Sequence, residues 1–264
     1  MLENLENPGE IIQTKKFKVI LFDLGSTLVF FEGNWDKVLD EAICKMVPVL
    51  SNILKKNILE HEFHSLYKKA LTQYYINRDI DYTELSAQKL LGNLLKARFH
   101  TSLPDEDITL VLDEFYSYTR SHWILDQETL PALQKLHSQG YRLGLISNAA
   151  YAPDVMKQLE NFKLSAFFDQ ILISADVGYR KPHHIIFQKA IEFFGKAPLD
   201  FVMIGDTLSA DIIGARKAGM SNVWINRWAS PPSAHYRDDA IIPDRIISSL
   251  SKLPDLLMNW NTFE

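Results

Sequence analysis

Cys44 is the only cysteine in this 264-residue chain. An intrachain disulfide is therefore impossible, a zinc site of the Cys-rich kind is excluded, and the expected compartment is reducing. No stretch approaches the roughly 18 apolar residues of a membrane span. The opening residues, MLENLENPGE, are acidic where a secretory leader would be basic and then apolar. The expectation is a soluble, cytoplasmic chain. A basic block is missing too: Lys plus Arg number 28 against 33 Asp plus Glu, which argues against nucleic acid as a main partner. There are no internal repeats and no low-complexity tracts. What is present is a 47% hydrophobic composition, which argues against disorder, and enough length for a sizeable core in one large or two smaller domains.

The stretch Phe17 to Leu28, FKVILFDLGSTL, organises the rest. Val19, Ile20, Leu21 and Phe22 form a short apolar run suited to a strand buried on both faces, and the run stops at Asp23. In an open α/β sheet, ligands bind outside the carboxyl ends of the strands, so this carboxylate is well sited for chemistry. A short strand or flap, Leu28 to Phe31, follows the Gly25-Ser26-Thr27 turn. From Asp36 to about His122 the spacing of apolar residues becomes three and four, and predicts helices over 36–47, 60–77, 83–99 and 105–121. The aromatics of this block, from Phe63 to Trp123, read as core.

Beyond Leu125 helices and strands alternate, as in parallel βαβ units. Strands are expected at Arg142–Ile146, Gln170–Ser174, Phe201–Ile204, Asn222–Asn226 and Ala240–Ile247. Helices are expected at 129–139, Pro153–Phe162, His184–Phe194, from about Asp211 to Gly219, and Leu253–Met258. Polar residues recur just beyond the ends of these strands: Asp23, Ser147, Lys181, and the pair Asp206 and Asp211. They can therefore meet in one crevice. Three carboxylates suit a hard cation such as Mg²⁺, while a hydroxyl and an ammonium suit phosphoryl oxygens. A carboxylate beside such cations can act as a nucleophile on phosphorus. His183 and His184 read as the first turn of a solvated helix, and Lys55-Lys56 and Lys68-Lys69 as solvated faces. Arg227 and Trp228 fit either a substrate contact or a cover for the sheet edge, and Pro231-Pro232 reads as a connector.

Asp23-Leu24-Gly25-Ser26-Thr27-Leu28, Ile146-Ser147-Asn148, Arg180-Lys181-Pro182 and Gly205-Asp206-Thr207-Leu208-Ser209-Ala210-Asp211, in that order, resemble the four motifs of the haloacid dehalogenase superfamily of hydrolases. The resemblance implies an α/β protein with a doubly wound, Rossmann-like parallel sheet, residues 1–32 and 125–264, and an inserted helical cap, residues 33–124. It implies that Asp23 is the nucleophile and a Mg²⁺ ligand. The Gly25 carbonyl, Asp206 and Asp211 would complete the metal site. Ser147, Asn148 and Lys181 would hold the phosphoryl group, and Thr27 would steady the loop. The implied activity is hydrolysis of a small phosphorylated metabolite by a monomer or homodimer.

The sequence departs from the family's phosphatases at Gly25, where they usually carry a second Asp as general acid and base. Losing that group costs about 10²- to 10⁴-fold, most for poor leaving groups. Anhydrides, acyl phosphates and aryl phosphates are therefore the expected better substrates. Water, Ser26 or Glu32 are candidate replacements. Two other readings stay open: a metal-independent 2-haloacid dehalogenase, and a catalytically weak member of the fold that serves as a binding protein. Dehalogenases of the family also lack the second Asp, but carry Tyr before and Gly-Thr after the nucleophile, a pattern that Leu24-Gly25-Ser26-Thr27 does not fit.

Overall fold

A computed structural model describes residues 16–228 and 241–260. The lead-in before Lys16, Pro231-Pro232 and Ala240 lie outside the described residues. The main sheet contains β1 (Val19–Phe22), β4 (Arg142–Ser147), β5 (Gln170–Ile173), β6 (Phe201–Gly205), β7 (Ser221–Ile225) and β8 (Arg245–Ile247). Its order is β5-β4-β1-β6-β7-β8, and every pairing is parallel. The first strand in sequence is thus central, with later strands added outward on either side. This is the doubly wound order, whose reversal point lies beside β1.

The β1 run has no polar face because both of its faces are covered. Ile20 and Phe22 join a cluster with Leu133 and Leu136 of α5 (Thr129–Ser138), Leu159 of α6 (Ala152–Asn161) and Leu257 of α10 (Leu253–Asn259). Val19 and Leu21 point the other way, towards Ile186 and Phe187 of α8 (His184–Phe194) and Ala215 of α9 (Ile213–Lys217). Truncating one such fully buried aromatic, Phe22, costs about 3–5 kcal/mol on the scale of core deletions. Register then fixes the chemistry: Phe22 lies opposite Leu145 and Ile204, so Asp23 leaves the sheet level with Ile146 and Gly205. The Asp23 amide donates to the Ile204 carbonyl at 2.9 Å.

Four helices lie in sequence between Phe31 and Trp123: α1 (Trp35–Leu54), α2 (Glu60–Asp81), α3 (Ala87–Phe99) and α4 (Asp105–Arg120). They pack around their own apolar cluster, built from Ile43, Met46, Leu50, Phe63, Leu91 and Val111 among others. Three expected helix limits are missed here, the first being that of the helix expected over 60–77, which continues to Asp81. The helix expected to stop at residue 47 runs through an exposed Pro48 to Leu54, because Met46, Val47 and Leu50 continue the buried face. The lost backbone bond is outweighed by that burial. The helix expected from residue 83 starts only at Ala87, capped by Ser86, whose Oγ accepts from the Lys89 amide at 3.4 Å. Residues 82–84 instead run antiparallel to 178–180: the Glu84 amide donates to the Gly178 carbonyl and the Arg180 amide to the Tyr82 carbonyl, both at 2.9 Å.

β2 (Val29–Phe31) and β3 (Trp123–Leu125) form an antiparallel pair where the chain enters and leaves the helical unit. A one-turn helix, α7 (Ser174–Val177), replaces the last expected residue of β5. Helices α4 and α6 meet through polar contacts: Arg120 Nη1 stands 2.5 Å from Asp154 Oδ1, and Lys157 Nζ 3.0 Å from Asp113 Oδ2.

Candidate active site

The loop after β1 is tightly wound. The Leu28 and Val29 amides both donate to the Leu24 carbonyl, at 2.9 and 3.1 Å. Ser26 is held at φ 56°, a left-handed conformation that costs a non-glycine residue about 1–2 kcal/mol. Thr27 is buried, but its hydroxyl finds no hydrogen-bond partner among the described residues. The backbone bonds, rather than that hydroxyl, fasten the turn.

Lys181 joins the strand ends. Its ammonium lies 2.6 Å from Asp23 Oδ1 and 2.7 Å from Asp211 Oδ1, and donates to the Ile146 carbonyl at 2.7 Å. The lysine is 2% exposed, so these contacts are made out of reach of bulk water. Asn148 fixes its backbone from both sides: the Lys181 amide donates to Asn148 Oδ1 at 2.8 Å, and Asn148 Nδ2 donates to the Lys181 carbonyl at 3.0 Å. Asp206 follows β6, its carbonyl accepting from Trp224 Nε1 at 2.7 Å. Asp211 comes back on the π-turn Leu208–Ile212, where its Oδ2 accepts from the Thr207 amide at 2.9 Å. That return requires Gly205, since a Cβ there would stand 2.3 Å from the Asp211 carboxyl.

Asp23, Asp206 and Asp211 offer carboxylate oxygens that all lie within 4.8 Å of one another, and all three side chains are buried. One ammonium faces three acids. Burial, followed by repulsion from Asp23 and Asp211, pushes Asp206 up to about 8. Burial also pushes Asp23 up to about 6, against the pull of Lys181. Burial works against the Lys181 ammonium, yet Asp211 and Asp23 outweigh it and hold its pKa above the ordinary lysine range. Hard oxygen donors with an excess of negative charge form the donor set of a small divalent cation, so the residues fit Mg²⁺.

These side chains open into a cavity of about 1080 Å³, which also meets Gly25, Ser26 and Asn148. Ser147, buried at the end of β4, lines an adjoining cavity of about 210 Å³ that shares Gly25, Asn148 and Trp123 with the larger one. Glu32 is exposed and lines neither cavity, whereas Ser26 does line the large one. Arg227 and Trp228 lie elsewhere. Arg227 pairs with Asp126 and Glu128 at 3.4 and 3.2 Å, and Trp228 stacks on Phe30 and donates to Asp126 at 2.9 Å. His183 caps α8, as its position after Pro182 implies.

Three features escaped the sequence reading. Trp123 stands over Gly25: a Cβ on residue 25 would be 3.3 Å from its Cη2 atom and 3.6 Å from Cζ3. The indole thus occupies the space that a side chain at residue 25 would enter. Helix α2 buries Phe63, Tyr67, Leu71 and Tyr74 and turns Thr72, Tyr75, Ile76 and Asp79 to the cavity. Both stripes have helical spacing, but in the sequence the second marks only an uncovered face and not what borders it. Arg78 and Arg180 also border the cavity.

Over 209 residues, or 74% of this chain and 92% of the other, the sequence is 27% identical to glyceraldehyde 3-phosphate phosphatase of Methanothermobacter thermautotrophicus. It is 25% identical to pyrophosphatase PpaX of Bacillus mycoides, over 93% of this chain and 99% of the other. The fold superimposes on that of 2-haloacid dehalogenase from Pseudomonas syringae pv. Tomato DC3000 with a TM-score of 0.65 at 24% identity, over 92% of this chain and 99% of that one. No described helix is long and apolar enough to cross a membrane. The family model of haloacid dehalogenase-like hydrolases matches residues 17–219, a span that holds all four motifs, and the chain belongs to that family.

Proposed function

We propose that this hydrolase is a Mg²⁺-dependent phosphatase that acts on a small phosphorylated metabolite through an aspartyl-phosphate on Asp23. The observation that carries the reading is the buried group of Asp23, Lys181, Asp206 and Asp211 opening into the large cavity. Relatives named as phosphatases of glyceraldehyde 3-phosphate and pyrophosphate support the substrate class. In this proposal residues 33–124 are the cap over a core of residues 1–32 and 125–264, and the protein is a cytoplasmic monomer or homodimer.

Asp23, with its pKa near 6, is mostly a carboxylate at neutral pH. One of its oxygens attacks phosphorus, the bond from phosphorus to the leaving oxygen breaks, and the electron pair departs with the leaving group. Lys181 holds Asp23 in place and balances charge on the transferring phosphoryl group, whose oxygens also take bonds from Ser147 and Asn148. Asn148, bonded to the Lys181 backbone, positions that ammonium at the same time. Water then attacks phosphorus, the bond to Asp23 breaks, and phosphate and the free carboxylate return. Asp23, the Gly25 carbonyl, Asp206 and Asp211 would hold Mg²⁺, which when bound supplies charge neutralisation and orientation for the phosphoryl oxygens. Glycine at residue 25 supplies no side-chain acid, so leaving groups that depart without a proton are favoured.

The acidic pair Asp206 and Asp211 favours this reading over a metal-independent dehalogenase, which has no use for it. The test is p-nitrophenyl phosphate hydrolysis by the purified protein with Mg²⁺ and with EDTA. Release of nitrophenolate only with Mg²⁺ supports the proposal. Turnover of a 2-haloacid in EDTA, with no phosphate release, overturns it.

A further inference from the structure

We infer that the cavity contains a second anion subsite, built by Arg78 of α2 and Arg180 beside Lys181, which takes a carboxylate or phosphate group on the leaving side of the substrate. The inference rests on the phosphatase reading above, and narrows it from any small phosphate ester or anhydride to one whose leaving portion is itself anionic.

Arg180 is 9% exposed and lines the cavity, yet its buried Nη1 has no hydrogen-bond partner among the described residues. A buried guanidinium donor left unpaired is costly, because charged groups taken from water need full pairing. The nearest acid does not supply it. Glu84 Oε2 stands 3.8 Å from Arg180 Nη1, beyond hydrogen-bond reach. The Glu84 carboxylate is already engaged elsewhere: one oxygen accepts from Tyr74 Oη and the other from Ser174 Oγ, the latter at 2.7 Å.

Arg78 brings a second cation to the same wall. Its guanidinium lies over the Tyr75 ring at 4.4 Å, and its buried Nε also lacks a hydrogen-bond partner among the described residues. Asp79 Oδ1 is 3.7 Å from that Nε, too far for a hydrogen bond. Two cations thus line one cavity. Each has a carboxylate within ion-pair distance, Glu84 for Arg180 and Asp79 for Arg78, but each keeps one buried nitrogen without a hydrogen bond among the described residues. Arg78 also repels the positive form of Arg180, adding to the cost of its burial. An anion between them would relieve the repulsion and use the planar forks for which arginine is suited. Arg78, Arg180 and Lys181 line the same cavity, so the subsite and the phosphoryl position share one space, as required for a molecule carrying two anionic groups. Its presence agrees with Gly25: an anhydride phosphate leaves with little need of a proton, and so does a carboxylate from an acyl phosphate.

The test uses non-hydrolysable phosphonates titrated calorimetrically into the Mg²⁺-loaded protein, with Mg²⁺ in excess. Methylphosphonate fills only the phosphoryl position, phosphonoacetate adds a carboxylate, and methylenebisphosphonate adds a second phosphonate. The expected result is at least tenfold tighter binding of one two-anion probe than of methylphosphonate, and which one it is identifies the group. In Arg78→Gln that ratio should fall at least tenfold, with partial recovery in Arg78→Lys. A change in folding alone would weaken all probes together and leave the ratio in place. Equal affinities in the wild type, or an undiminished ratio in Arg78→Gln, overturn the subsite. If aryl phosphate is hydrolysed and methylphosphonate binds without any two-anion advantage, only the subsite falls. If no phosphonate binds and no phosphate ester is hydrolysed, the phosphatase reading falls with it.

Discussion

Substituting Gly25 by Asp tests directly why the loop carries glycine. A Cβ at this position would stand 3.3 Å from Trp123 Cη2, inside the 3.5–4.0 Å at which carbon atoms attract best, and the carboxyl group would need still more room. Trp123 cannot retreat freely, because its ring packs edge-on against Phe31 at 5.3 Å. Overpacking of this kind costs about 1–3 kcal/mol. In a protein of this size that is a fall in Tm of roughly 2–12 °C. In the Trp123→Ala background the overlap is gone, so the cost of adding the Asp should drop below about 0.5 kcal/mol, giving a coupling energy of about 0.5–3 kcal/mol in the double-mutant cycle. The catalytic side of the cycle runs the other way. The wild type should favour p-nitrophenyl phosphate over glycerol phosphate by at least about 10²-fold in kcat/KM, the lower bound for a missing general acid. Gly25→Asp should narrow that gap, and Gly25→Asp with Trp123→Ala should narrow it further. Identical stability costs in both backgrounds would refute the steric account of Gly25. Equal wild-type rates on the two esters would refute the account of the missing acid.

Lys181→Met leaves Asp23 and Asp211 facing each other without the ammonium 2.6 and 2.7 Å away. Breaking such a buried pair costs about 3–5 kcal/mol, so thermal melts in EDTA at neutral pH should fall by roughly 6–20 °C. An unchanged melt would show that the pair contributes nothing. Metal-free protein should also lose stability as pH rises. The folded-state pKa values of Asp23 and Asp206, about 6 and about 8, lie above 3.8, so the folded state holds those protons more tightly. That contribution is full below about pH 4 and is lost as pH climbs through about 6 and then about 8. The rise in Tm on adding Mg²⁺ should therefore be larger at about pH 8.5 than at about pH 5, and the reverse order would contradict the assignment. Gly205→Ala puts a methyl group 2.3 Å from the Asp211 carboxyl and should expel it from Lys181. Calorimetry should then register at least tenfold weaker Mg²⁺ binding, and wild-type affinity would show that Asp211 is not a ligand.

Much of the fold was legible in the sequence because each strand is a short apolar run ending in a polar residue, and the parallel sheet gathers those ends at one edge. Asp23, Lys181, Asp206 and Asp211 could be read as a set for that reason. Helix limits in residues 33–124 were less legible. Pro48 signals a stop, but Leu50 continues the buried face and the helix goes on. Residues 82–84 carry no strand pattern of their own, and only their partners 178–180 make them extended. Trp123 and Arg78 were illegible as site residues because their roles depend on which uncovered face borders the cavity. Periodicity gives the face turned to the core and says nothing of what lies opposite. The absence of a side chain at residue 25 was plain in the sequence, whereas the indole that stands in its place comes from nearly one hundred positions away.

The central claim is that Asp23 carries the phosphoryl group, and acid quenching during turnover of a phosphorus-labelled aryl phosphate tests it most directly. With Mg²⁺ present, the label should appear on the peptide containing Asp23, disappear on treatment with hydroxylamine, and be absent from Asp23→Asn. Phosphate release at the wild-type rate by Asp23→Asn would contradict the account.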